Sequence, residues 1–113
     1  MQQRDERILE HILDYCDDIA HDLSVIESSR DAFMANMMIQ RSIAFCILQI
    51  GELVGRLSDE LRTETKAEIN WASIKAMRNI VVHDYGNVVL DEVWDAATLD
   101  VPLLKTFCEE RLG

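Results

Sequence analysis

Arg78, Asn79, His83 and Tyr85 lie within one octapeptide, Arg78-Asn79-Ile80-Val81-Val82-His83-Asp84-Tyr85. An arginine supplies a permanent charge and a planar fork of donors that fits phosphate or carboxylate. A histidine moves protons near neutral pH, and a tyrosine hydroxyl also reaches phosphate. Projected at about 100° per residue, Trp71 to Tyr85 forms an amphipathic helix. Its apolar stripe is Trp71, Ile74, Met77, Val81 and Val82, and Arg78 falls inside that stripe. A guanidinium keeps its charge, so on such a face it must meet a carboxylate, a phosphate or a wet cleft. Tyr85 projects to the Arg78 side, whereas His83 points about 140° away on an ideal helix. One copy of the helix therefore does not by itself close a site around a single phosphate.

The elements that must hold this helix are also helical. The chain has one proline and four glycines, and no segment sustains the alternation of a strand. A first helix is expected from about Arg4 to Ile26, with Ile8, Ile12, Cys16, Ile19, Leu23 and Ile26 facing the core. A turn over 27–31 offers several caps. The second stretch, 31–61, is broken near Asn36, and from Ile43 to Leu57 it is apolar around most of its circumference. That pattern belongs to the central helix of a bundle. Its polar strip carries Arg41, Gln49, Glu52 and Arg56, and Gly51 and Gly55 allow a neighbouring helix to approach closely. Asn70 caps the motif helix, which should end near Asp84 with Gly86 as its stop signal. In the last segment, 90–112, Pro102 removes an internal hydrogen bond and should kink or split the helix near Asp100. The expected fold is all-α, an antiparallel bundle of four to five helices in one domain, 1–113.

Composition narrows the function. Hydrophobic content of 49% with 28% charged residues describes an ordinary globular protein. The longest nearly apolar stretch, 43–50, is too short to span a bilayer. The acidic Met1–Glu6 start carries no apolar leader, so a cytoplasmic protein without a secretory signal is expected. Cys16, Cys46 and Cys108 are widely spaced in apolar runs and read as reduced core thiols. The net charge of −10, from 21 acidic against 11 basic residues, speaks against broad nucleic-acid binding. Any RNA contact must be local, through cations such as Lys75, Arg78 and His83. Otherwise the acidity serves solubility or a basic partner.

Two further constellations have ordinary explanations. His11, Asp14, Asp18 and His21 have metal-like spacing, but they project away from the Ile12/Ile19/Ile26 stripe, whereas metal sites in bundles face inward. No metal is expected there. Glu52 and Arg56 form an i, i+4 pair in the favourable order, although Glu52 is equally able to neutralise Arg78 across the bundle. The second pairing is the structural competitor to a catalytic arginine.

Arg78-x4-His83-x-Tyr85, with Ile50-Gly51-Glu52, Trp71 and Val93-Trp94, resembles the HepT-type toxins of the HEPN superfamily over nearly the whole chain. Asp84 stands where many relatives have glycine, and the segment 45–49 lacks their more polar residues. The resemblance implies a homodimeric, metal-independent endoribonuclease in a type VII-like toxin–antitoxin system. Arg78 and His83 would be catalytic, contributed by two subunits whose motif helices meet at the two-fold axis. Asn79 would position the substrate phosphate. Tyr85 would accept AMP from a nucleotidyltransferase antitoxin, to which any ATP and magnesium belong, leaving this chain without a cofactor. The alternative is a non-catalytic helical companion of a nucleotidyltransferase, which the low isoelectric point favours.

Overall fold

The computed structural model of the chain describes residues 1–83 and 90–113, with side chains described outside 80–83. All regular structure among the described residues is helical: α1 (Gln3–Val25), α2 (Arg30–Ala35), α3 (Met37–Val54), α4 (Asp59–Glu64), α5 (Trp71–His83), α6 (Leu90–Asp95) and α7 (Val101–Leu112). Helix α3 is central, packing against α1 on one side and α5 on another, while α7 closes on α1.

Period dictates the core. Leu9, Ile12, Cys16 and Ile19 of α1 and Ile43, Ile47, Ile50 and Val54 of α3 are buried, as are Trp71, Ile74 and Met77 of α5. Fully burying each such aliphatic side chain contributes roughly 1.5–3 kcal/mol. By length and composition α3 is also apolar enough to cross a membrane, with mean hydropathy 1.4 over Met37–Val54. In the fold Ile39, Ile43, Cys46, Ile47, Ile50, Gly51 and Val54 of this helix are buried in the bundle. The three cysteines are free and buried. Burial pushes the Cys46 and Cys108 thiols up to about 12 and raises Cys16 as well. Thiols held in the protonated form are inert.

Caps set the boundaries. Asn36 breaks the second helical stretch as expected, its Oδ1 accepting the Ile39 N–H at 3.0 Å. The stretch then ends at Val54, short of the expected Leu61. Ser58 starts a separate helix, its Oγ accepting the Leu61 N–H at 3.1 Å. Asp5 fixes that turn, because its buried carboxylate accepts the Ser58 N–H at 2.9 Å and the Ser58 hydroxyl at 2.6 Å. Pro102 does not split the last segment. A π-helical turn, Ala96–Asp100, joins α6 to α7 with the Val101 N–H donating to Ala96 O. The wider turn absorbs the missing proline donor.

Candidate functional site

Helix α5 is anchored at its start. Asn70 Oδ1 accepts the Ser73 N–H at 3.1 Å, the expected cap. The Trp71 indole donates to Thr65 Oγ1 at 2.8 Å, and the buried Thr65 hydroxyl donates to Leu61 O at 2.7 Å. The Trp71 ring meets Phe107 edge-on with centroids 5.3 Å apart. These contacts fix the rotation and height of α5 on the bundle, and therefore where Arg78 emerges.

Arg78 emerges against α3. A methyl group built on Gly51 would lie 2.7 Å from Arg78 Cβ. Only glycine allows the two backbones to cross so closely, and the crossing carries the guanidinium past α3 to Glu52. Arg78 Nε lies 2.5 Å from Glu52 Oε1, and both side chains are 43% exposed. The Nε–H of the buried Nε atom is not aimed at that oxygen, so the contact is an ion pair without a hydrogen bond. Glu52 thus turns to Arg78 instead of Arg56. The strict helical projection put Arg78 inside the buried stripe. The structure places it at the stripe's edge, half-exposed, because the glycine lets the side chain slide over α3 toward water.

The other motif residues sit as follows. Asn79 is exposed beside Arg78. His83 is the last residue of α5, but its side chain lies outside the described residues, as do Asp84, Tyr85 and Gly86. On α1, His11, Asp14, Asp18 and His21 are exposed, the outward face that the periodicity assigns them.

Two features of this surface escape a reading by period alone. Met38 is 82% and Phe45 54% exposed on α3. They stand seven residues apart on one face of α3, with Arg41, Ser42 and Gln49 on the same side, and the Phe45 ring meets Tyr15 of α1 edge-on with centroids 6.2 Å apart. On the other side of the last turn of α3, Leu53 and Arg56 face Arg4, Arg7 and His11 of α1 across an open groove of about 440 Å³. The spacing of Arg4, Arg7 and His11 on one helix face was a usable signal for the α1 half of that groove.

The family model described as Ribonuclease HepT-like matches residues 6–111. The chain belongs to this HEPN-type, HepT-like ribonuclease family. A protein of Methanocaldococcus jannaschii named "Putative RNase MJ1216" is 30% identical over 93% of this chain and 85% of its own length. "Putative RNase TTE0752" of Caldanaerobacter subterraneus subsp. tengcongensis is 29% identical over 92% of this chain and 90% of its own. No solved structure matches the chain.

Proposed function

We propose that the protein is a metal-independent endoribonuclease and the toxin of a type VII-like toxin–antitoxin pair, working as a homodimer with Arg78 and His83 of opposite subunits in one site. The observation that carries this reading is the state of Arg78: charged, half-exposed and, among the described residues, paired with an equally exposed glutamate. An ion pair between two half-exposed side chains contributes roughly 0–1 kcal/mol. An RNA phosphate, which offers bidentate acceptors, therefore displaces Glu52 at small cost. Met38 and Phe45, exposed on the same helix that carries Glu52, offer apolar surface on which a second copy can pack. Such packing would bring the partner's motif helix to Arg78 and resolve the divergence of Arg78 and His83 on one helix.

RNA carries its own nucleophile. In the proposed reaction the 2′-oxygen attacks phosphorus and the bond to the 5′-oxygen breaks. His83 takes or delivers the proton that moves between those oxygens. Arg78 stabilises the charge gathering on the phosphorane, the electrostatic contribution that is usually largest. Asn79 donates to a phosphate oxygen. The products are a 2′,3′-cyclic phosphate and a 5′-hydroxyl. AMP transferred to the Tyr85 hydroxyl by a nucleotidyltransferase antitoxin would add negative charge that competes with substrate for Arg78, silencing the site.

Incubation of the purified chain with single-stranded RNA tests this reading. Folded His83→Ala protein should lose cleavage by about 10²–10⁴-fold; undiminished cleavage by that variant refutes the assignment. After exposure to the nucleotidyltransferase and ATP, the wild type should gain AMP mass and Tyr85→Phe should not. The net charge of −10 favours the second reading, a non-catalytic companion of the nucleotidyltransferase. Growth arrest on expression, abolished by Arg78→Ala, separates the two.

A further inference from the structure

The chain has few cations, and most of those elsewhere are neutralised. Arg30, Arg62, Lys105 and Arg111 each pair with an acidic residue, as does Arg78. Arg4, Arg7 and Arg56 make no ion pair among the described residues. All three line the α1–α3 groove together with His11, and no carboxylate lines it. In a protein with 21 acidic residues against 11 basic ones, this is a concentrated positive surface. Like charges one helical turn apart, as in Arg4 and Arg7, weaken a helix, and a bound polyanion relieves that repulsion.

The groove also lies beside the Arg78 site. Leu53 and Arg56, which line it, alternate with Glu52 and Gly55 from the last turn of α3 into the residues just after it. Glu52 contacts Arg78, and a methyl group on Gly55 would lie 3.7 Å from Lys75 Cε. Cations thus continue from Arg78 and Lys75 on α5, around the last turn of α3, to Arg4 and Arg7 on α1. We infer that this groove is a subsite for the phosphate backbone of single-stranded RNA, holding nucleotides that flank the one cleaved at Arg78. The inference rests on the ribonuclease reading above and adds the substrate requirement that the RNA extend beyond the scissile linkage. Arginine forks recognise phosphate, and their guanidinium planes also accept a base face, without selecting sequence.

The test uses full-length protein and a 5′-labelled, unstructured oligonucleotide of about twenty nucleotides, long enough to reach from Arg78 into the groove by the site sizes typical of single-strand binders. Wild-type cleavage that is lost in His83→Ala establishes the ribonuclease reading; its absence overturns that reading and the groove with it. Fluorescence anisotropy then compares His83→Ala protein with and without Arg4→Ala and Arg7→Ala. The two exposed substitutions should weaken binding about tenfold and reduce the slope of log affinity against log salt by roughly 1.4, at about 0.7 per phosphate contact. Removing two cations elsewhere, in Lys66→Ala with Arg111→Ala, should leave the slope unchanged. Equal affinity and slope in the groove variant and this charge-matched control, with cleavage intact, overturns the groove alone. So does a groove variant that binds RNA normally but no longer binds the nucleotidyltransferase.

Discussion

At the scale of the residue, Arg78 decides between a catalytic and a structural account. Had its charge been fully buried with Glu52, deleting one partner would strand the other and cost about 3–5 kcal/mol. Both groups are 43% exposed, so the Arg78→Ala protein should lose less than about 1 kcal/mol in urea unfolding. Cleavage should nevertheless fall by about 10²-fold or more. A loss of several kcal/mol with activity falling only as the protein unfolds would return Arg78 to a purely structural role. The sequence alone left Glu52 with two partners, Arg56 one turn away and Arg78 across the bundle. Local spacing favoured the first, and a tertiary crossing selected the second.

At the scale of the element, that crossing depends on Gly51. Adding a methyl group 2.7 Å from Arg78 Cβ meets an atom fixed to the α5 backbone, so the helices must separate. Gly51→Ala should therefore destabilise the fold by about 1–3 kcal/mol and lower cleavage beyond what stability explains; an unaltered cleavage rate in folded Gly51→Ala protein would show that the close crossing does not position the arginine. The existence of a close approach at Gly51 was readable from the sequence, as were the Asn36 break, the Asn70 cap and the buried face of Trp71, Ile74 and Met77. Each follows from local period or capping chemistry. The end of α3 at Val54 was not readable in the same way. It rests on Asp5 holding Ser58 across 53 residues, and an acidic residue near a chain start carries no local sign of being buried. Pro102 marked the correct place but not the response, since a π turn competes with a kink and only packing against the bundle selects it.

At the scale of the whole molecule, the proposed function requires two copies to meet. In a chain with net charge −10, three arginines without an ion pair among the described residues, Arg4, Arg7 and Arg56, line the α1–α3 groove. The account requires that Arg78 of one subunit work with His83 of the other. Mixing Arg78→Ala with His83→Ala protein, each inactive alone, and re-equilibrating the subunits tests this directly. In a two-fold dimer the mixed species retains an intact arginine–histidine pair only if the two residues come from different chains. Cleavage should return to roughly a quarter to a half of the wild-type rate, the share of mixed dimers and intact sites under random exchange. Subunits that exchange, shown by mass labelling, yet leave cleavage at the level of the separate variants would contradict the shared site.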